Sequence, residues 1–473
     1  MLCIDDAFIT FRYVENIARG LGFVYNPGER TLGTTTPLFC LLLAGFRVSG
    51  VSVPVAADII NLVSSGLAAM LVYLICRESK DRGLALTATF LFVFFPHFWM
   101  SLATGMETMF FTFLCLLVVW LDLKKRPVWA GVAAGALLMT RIDGLAVVAA
   151  VLLVRFFKAP RKALLSGILA VIALAPWLLF SHLYFGSLIP HSILAKKLVH
   201  ILPAQLVLWK FEVWFLGLEE KGNGLALVYP ALIAYLLFAI LGSLRVLIKQ
   251  GWATVFILWI IFYLAGLALG QAGIFLWYKI PMLSGYLILA AIGIRRLCGA
   301  FSRTPRLGQA LNVILPAVLF LELFSEFPYQ NINTVTLKEA ANLKLARVLK
   351  ANSSPGAKVF AGEVGIVGFE LMDYYIIDSA GLVSDQVYQM RSDDKKELLK
   401  KSPAYKWDWW GTAAWVNNVL DEFQPEFVIS DVRYLHLQEL LRDPKFHSRY
   451  RLLQAESTPW ETIVLLRKAA ANP

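Results

Sequence analysis

Two adjacent carboxylates, Asp5 and Asp6, open the sequence just ahead of the apolar-rich stretch Ala7-Phe8-Ile9-Thr10-Phe11-Arg12-Tyr13-Val14. A carboxylate facing a reacting hydroxyl is a general base, and such a base supplies a rate factor of about 10² to 10⁴. If residues 6–19 are helical, Arg12 lies two turns on and shares a face with the pair. Aspartate is also a favoured helix N-cap, so a solvated loop with a capping Asp5 or Asp6 is the plainer reading. Adjacent carboxylates titrate as a coupled unit. The chemistry alone therefore leaves a general base facing a membrane-level cavity beside the capping reading, with no separate roles for Asp5 and Asp6.

A second set of residues suits an anionic group, which needs cationic donors. Arg12, Arg141, Lys196, Lys197 and Lys279 are the candidates. Arg141 falls between two short apolar runs and beside Asp143, where a snorkelling arginine is the alternative. Lys196 and Lys197 also fit the solvated face of an amphipathic helix. Glu107 lies inside an apolar run, where a carboxylate deep in a bilayer costs about 2.5–3.5 kcal/mol. It must either cap its helix N-terminus or face a polar cavity. Gly362-x-x-Gly365-x-x-Gly368 has the spacing of a weak phosphate loop, although turn glycines explain it as well. Trp407, Trp409, Trp410 and Trp415 could stack on sugar rings or fill a core.

The elements that must position these groups are membrane helices. Of 473 residues, 58% are hydrophobic and 16% charged, against about 45–50% and 25% in a soluble domain. That excludes a soluble enzyme, a disordered chain and a fibrous repeat. Residues 1–330 hold 26 basic and 15 acidic residues, residues 331–473 hold 18 of each, and the net +11 therefore lies in the apolar part. There it clusters in short loops, at 77–82, 124–126, 155–162, 245–249 and 295–306. This is the pattern of cytoplasmic loops between spans. Such loops offer no broad basic surface with interleaved aromatics, so nucleic acid is not a partner. The five cysteines form no CxxC pair, which argues against a disulfide framework or a zinc site.

Stretches near 20 apolar residues predict about ten crossings, at 54–76, 83–99, 105–123, 127–140, 144–157, 163–183, 225–245, 251–270, 274–294 and 308–326. The run 36–50 reads as a helix along the membrane surface. With every basic cluster cytoplasmic, residues 1–35, the loop 184–224 and everything after 327 face outward. A chain that starts outside implies a further helix ahead of Met1, eleven crossings in the full protein. From about residue 330 strand-length runs at 358–361, 374–378, 426–430 and 462–467 alternate with helical stretches at 337–350, 412–422 and 433–442. This predicts a C-terminal extracytoplasmic α/β domain. The expected divisions are 1–35 (first outer loop), 36–326 (transmembrane, all-α) and 327–473 (outer domain).

The string DDAFITFRYVENIARGLGFVYNPGER, followed by TTTP, resembles the first outer loop of bacterial GT-C glycosyltransferases. It is most similar to the mycobacterial terminal β-arabinofuranosyltransferase-like branch, whose pattern runs DDAFI-FRYA-N, G-G-VYNPGER and GYTSPLW. Gly105-Met106-Glu107-Thr108 resembles the family's G-L-E-T. Arg141-Ile142-Asp143-Gly144 resembles R-P-D/E-G, with Ile142 in place of proline. Residues 184–196, from Tyr184 through Pro190, His191 and Ser192 to Ala195 and Lys196, resemble Y-G-x-L-x-P-N-[ST]-x-x-A-K, with His191 in place of asparagine. Gly362-Glu363-Val364-Gly365 and Ile377-Asp378-Ser379-Ala380-Gly381-Leu382 resemble two motifs of the family's outer domain.

The resemblance implies an inner (plasma) membrane, multi-pass enzyme. It would move a hexose or pentose from a polyprenyl-phosphate carrier to an acceptor hydroxyl on a cell-envelope glycan, lipid or protein, with inversion. Asp5 and Asp6 would be the catalytic pair of the first outer loop, one the base and the other holding an acceptor or an arginine. Arg12, Arg141, Lys196, His191 and Glu107 would line the donor site, with Lys279, before Pro281, as the basic residue of a late helix. No metal site is recognisable, while a divalent cation remains compatible with the family. The competing reading is a polytopic lipid or glycan transporter or flippase; internal repeats are what such a protein would show.

Overall fold

The computed structural model describes residues 3–469 apart from 216–217, 222–223, 228–229, 250, 272, 274, 301–304, 326–328 and 409–410. Helix α1 (Asp5–Ala18) and a loop lead to α2 (Pro37–Val48), α3 (Val53–Cys76), α4 (Arg82–Phe94), α5 (Pro96–Leu102) and α6 (Thr108–Leu123). Then follow α7 (Pro127–Thr140), α8 (Leu145–Lys158), α9 (Pro160–Phe185), α10 (His191–Val199) and α11 (Ala204–Phe215). A hairpin, β1 (Leu218–Lys221) and β2 (Gly224–Leu227), precedes α12 (Pro230–Lys249), α13 (Thr254–Gly270), α14 (Leu276–Ala300), α15 (Pro305–Ser325) and α16 (Tyr329–Ala351).

Proline sets many of these boundaries. It occupies the first turn of α2, α3, α5, α7 and α9, where its missing N–H costs nothing and its φ is already helical. Phe95, forced extended ahead of Pro96, bends α4 against α5 by 53°. Helix α14 runs through the middle of the bundle and α12 crosses it at two glycines. A Cβ on Gly242 would lie 1.8 Å from the Leu289 carbonyl oxygen, and one on Gly293 2.0 Å from that of Phe238. Only glycine permits so close a helix crossing.

Among the described residues four helices are long and apolar enough to cross a membrane: Val53–Ser79, Pro160–Phe185, Ala231–Ile248 and Trp277–Ala300. The bent pairs α4–α5 and α10–α11 bring the number to six if each is one span. Several segments expected to cross are shorter apolar helices, such as α6, α7 and α13. At 1.5 Å per residue the 16 residues of α6 reach about 24 Å, less than the hydrocarbon thickness of about 30 Å. The 36–50 run forms α2, a 12-residue helix.

After α16 come β3 (Lys358–Ala361), α17 (Gly365–Glu370), β4 (Tyr375–Asp378), α18 (Asp385–Lys401), α19 (Ala413–Phe423), β5 (Phe427–Asp431), β6 (Tyr450–Ser457) and β7 (Thr462–Lys468). The strands form one sheet in the order β4-β3-β5-β7-β6, parallel across β4-β3-β5 and antiparallel beyond. The four expected strands are present, and β5 is buried along its whole length. Strand β6 and helix α18 were not expected. Strand β6 is an edge strand whose residues after Tyr450 are exposed or half-buried, so it lacks the apolar run that marks the others. Trp415 is core, packed edge-on to Phe360, while Trp407 is exposed; Trp409 and Trp410 lie outside the described residues.

One apolar cluster joins α1, the following loop and α2 to α16, α17 and the sheet. The N-terminal stretch is thus packed into the C-terminal unit, although the two are more than 300 residues apart in the chain.

Candidate active site

Consecutive residues on a helix point about 100° apart. The adjacent aspartates at the start of α1 diverge accordingly. Asp6, Ile9 and Thr10, at spacings of three and four, line a cavity of about 500 Å³. Asp5, Phe8 and Arg12 lie on the face that packs against α17.

On that docking face, Asp5 accepts hydrogen bonds from the Gly365 amide at 2.9 Å and the Ile366 amide at 2.8 Å, while its own N–H donates to Glu339 Oε1 at 3.0 Å. It caps α17 rather than its own helix, whose N-cap, Ile4, makes no side-chain cap. Burial pushes the Asp5 carboxyl well above the usual range, with Glu363 and Glu339 adding to the rise. Of the expected catalytic pair, Asp6 lines the cavity and Asp5 does not.

Arg12 does not line the cavity either. It does share the face of Asp5, but all five of its N–H donors are taken: Tyr25 O at 2.9 Å, Leu371 O at 2.9 Å, Tyr374 O at 2.8 Å, Asn26 Oδ1 at 3.3 Å and the Gly368 carbonyl. It has no donor left for a phosphate. The rest of the N-terminal motif holds the same junction. Asn26 exchanges two hydrogen bonds with the Ile376 backbone, in the manner of an added strand, and Tyr375 donates to Glu29. The Gly362/Gly365/Gly368 spacing also belongs here. A Cβ on Gly365 would lie 1.8 Å from the Asp5 carbonyl oxygen and one on Gly368 1.9 Å from Tyr25 Oη.

The cavity itself collects three carboxylates and three cations: Asp6, Glu107, Asp143, Arg141, Lys196 and Lys197. Lys196 Nζ lies 3.0 Å from Asp6 Oδ2. Arg141 follows the last residue of α7 in an extended conformation, ahead of the 3₁₀ turn Ile142–Gly144. Its guanidinium donates to both oxygens of Asp143 at 3.0 Å and to Glu107 Oε1 at 2.8 Å. Tyr263 of α13 donates to Asp143 Oδ2 at 2.9 Å. Glu107, 2% exposed, thus faces the cavity network and does not cap α6 with its side chain. Bidentate pairing of this kind neutralises charges held in an apolar surround.

The opposite lining is aromatic and then apolar. Phe275 and Trp277 stack at 4.8 Å and 2°, and Lys196 Nζ sits 5.5 Å from the Phe275 ring centre. Beyond them Leu145, Ala146, Ala149, Phe262, Gly266 and Leu267 of α8 and α13 continue the cavity. The chemistry available is therefore a base, a group of cations and an apolar extension.

Two expected residues lie elsewhere. His191 does not line the cavity; its N–H donates to Leu32 O at 2.8 Å and its ring packs edge-on to Tyr388. Lys279 directly follows the cavity residue Tyr278 but is not part of the lining, so the arginine and the two lysines supply the positive charge. Residues the sequence reading missed are Asp143 as an arginine ligand, Tyr263, and the threonines 10, 34, 35 and 36. An aspartate two residues from an arginine at a helix break was the available signal for the first of these. Among the described residues no group of three or more His, Cys, Asp or Glu is arranged to hold a metal ion.

Residues 34–196 match the model of glycosyltransferase family 87, and residues 330–468 match a domain of unknown function (DUF8728). No curated protein matches the sequence. Among solved structures, the chain is similar to ArnT from Cupriavidus metallidurans bound to undecaprenyl phosphate, at 11% identity and TM-score 0.61, covering 100% of this chain and 95% of that one. The same enzyme in the apo state gives TM-score 0.58 at 11% identity, over 97% and 93%. The apo oligosaccharyltransferase of Archaeoglobus fulgidus gives 0.53 at 14% identity, over 98% of this chain and 70% of that one. The chain therefore has a GT-C fold along its whole length and, over residues 34–196, a sequence that matches glycosyltransferase family 87.

Proposed function

We propose that the protein transfers one sugar from a polyprenyl-phosphate carrier to a hydroxyl of a cell-envelope acceptor, on the non-cytoplasmic face of the plasma membrane, with inversion. The observation that carries this reading is the Asp6–Lys196 pair, 3.0 Å apart, at the charged end of a cavity that continues between apolar α8 and α13. A phosphate with an isoprenoid tail has the same two-part character. ArnT, similar in fold, is known bound to such a lipid.

In this reading Asp6 accepts the proton of the acceptor hydroxyl as its oxygen bonds to the anomeric carbon. The bond from that carbon to the phosphate oxygen breaks, and polyprenyl phosphate leaves. Protonation removes the negative charge of Asp6, which releases Lys196 to the phosphate as its charge grows. Lys197, exposed at the cavity and without a salt bridge among the described residues, adds a second cation there. Arg141 is held by Glu107 and Asp143 and shapes the site more than it binds phosphate. The outer domain spans 327–473 and holds the first outer loop, 1–35, in place; residues 36–326 are the membrane part.

The test is transfer by membranes containing the full-length protein, supplied with radiolabelled polyprenyl-phosphate mannose and polyprenyl-phosphate arabinofuranose. Label moving into envelope material, and lost with Asp6→Asn, is the expected result. Translocation of the lipid with no transfer would instead favour a flippase.

A further inference from the structure

The serine and threonine hydroxyls lining the cavity are not equally occupied. Thr10 Oγ1 and Thr34 Oγ1 lie 3.0 Å apart, and Thr34 Oγ1 and Thr36 Oγ1 3.2 Å apart. Ser192 also lines the cavity, is 2% exposed, and its Oγ has no hydrogen-bond partner among the described residues. Buried hydroxyls are nearly always paired. One left unpaired at the wall of an open cavity points to a ligand that pairs it.

The position of Ser192 narrows what that ligand offers. Ser192 and Lys196 are four residues apart on α10, so both lie on one face, with their Cβ atoms about 6 Å apart. Lys196 already reaches Asp6 at 3.0 Å. The His191 N–H bond to Leu32 O, at 2.8 Å, pins the start of α10 beside the segment carrying Thr34 and Thr36. A serine hydroxyl both donates and accepts, as a sugar hydroxyl does. A phosphate only accepts and has two lysines nearby, and an isoprenoid does neither. One helical turn also matches the reach from an anomeric phosphate to a ring hydroxyl. The stacked faces of Phe275 and Trp277 offer the apolar side that a sugar ring needs.

We infer that Ser192 binds a ring hydroxyl of the transferred sugar while Lys196 serves its phosphate, so that Ser192 helps decide which sugar is used. The inference rests on the proposed use of a polyprenyl-phosphate donor.

The test is binding to the purified full-length protein in detergent, with three probes of equal isoprenoid length: polyprenyl phosphate, polyprenyl-phosphate mannose and polyprenyl-phosphate arabinofuranose. The wild type is expected to bind at least one sugar-bearing lipid more tightly than the sugar-free one. Ser192→Ala should weaken that lipid about 3- to 10-fold, the range of one neutral hydrogen bond. It should change sugar-free binding by less than about 2-fold, within that same bound, and leave the melting temperature in place. Ser192→Thr, which keeps a hydroxyl, should recover much of the loss. No sugar preference in the wild type, no effect of Ser192→Ala, or an equal loss for all three probes would each overturn the inference. If the wild type fails to bind even polyprenyl phosphate, it is the donor reading itself that falls, and the assignment of Ser192 with it.

Discussion

The Ile366 amide donates to the Asp5 carboxylate at 2.8 Å, a bond between the first helix of the chain and a helix of the C-terminal sheet unit. Asp5 is thereby a clasp, and Asp6, next in sequence, is aimed at the cavity by that clasp. The C-terminal unit does more than sit against the helices: it fixes the azimuth of the helix that bears Asp6, the proposed base.

Asp5→Asn and Asp6→Asn should therefore fail differently. Asp6→Asn removes a base and should lower transfer by about 10² to 10⁴ with melting unchanged. Asp5→Asn keeps one acceptor oxygen for the two α17 amides and should cost about 1–3 kcal/mol of stability, with a smaller loss of rate. Transfer assays and thermal melts in detergent check both. Equal rate losses with equal melting would restore the idea of a catalytic pair.

Much of this was legible in the sequence, and the misreadings share a cause. The apolar helices, the α/β tail and the cavity residues Asp6, Glu107, Arg141 and Lys196 follow from periodicity, charge placement and motif, whereas ten crossings were expected and, among the described residues, four to six helices are long enough to cross. Asp5 and Arg12 were correctly expected on one face of α1, but what that face meets is set by α17, some 350 residues away. No local pattern encodes a contact of that range. The same holds for Gly365 and Gly368, read as turn glycines because the atoms that exclude a side chain there belong to Asp5 and Tyr25. Strand β6 escaped because an exposed edge carries little apolar signal.

The clasp should respond to pH through Glu339. Its carboxyl is raised from 4.5 to about 8 by burial first and by Glu363 second, with Lys338 opposing, and its Oε2 has no partner among the described residues. Asp5, Asp6, Glu363 and Lys338 are the charged groups acting on it. The folded state holds this proton more tightly than the unfolded chain does. Its contribution to stability is thus complete below about pH 4.5 and is lost as pH rises towards 8. Glu339→Gln keeps an oxygen for the Asp5 N–H and carries no charge. It should raise the melting temperature at pH 8 and leave it nearly unchanged at pH 5. A flat difference between the two proteins from pH 5 to 8 would count against this assignment.

Arg141→Lys tests the network across α6, α7 and α13. A lysine keeps the charge but cannot bridge Asp143 in two places and Glu107 in a third. Either buried Glu107 or half-buried Asp143 is then left short of donors, at a cost of about 1–3 kcal/mol. Transfer should fall as well, since both carboxylates line the cavity. Adding Glu107→Gln should restore part of the stability lost, because it removes the charge that lysine leaves unpaired. Melting curves of the single and double variants make the comparison, and strict additivity would argue that Glu107 and Arg141 do not act on each other.

A second close approach in the clasp is open to a cycle of its own. A Cβ on Gly368 would stand 1.9 Å from Tyr25 Oη and 3.4 Å from Arg12 Cδ, and Tyr25 Oη donates to Val364 O at 2.5 Å. Gly368→Ala must push the tyrosine or the arginine aside, which costs about 1–3 kcal/mol as overpacking does. Tyr25→Phe alone gives up one buried hydrogen bond, about 1 kcal/mol. In the double variant the clashing oxygen is gone, and the nearest atom left is the ring carbon that bore it, 3.0 Å away. The double variant should therefore be more stable than the sum of the singles by about 1 kcal/mol, a coupling of the size found between residues in contact. Thermal melts supply the four corners of the cycle, and limited proteolysis shows whether the outer unit has loosened from α1. If the two substitutions add without coupling, α17 does not press on the 23–26 loop as described, and the path by which the outer unit orients Asp6 would have to run through Asp5 alone.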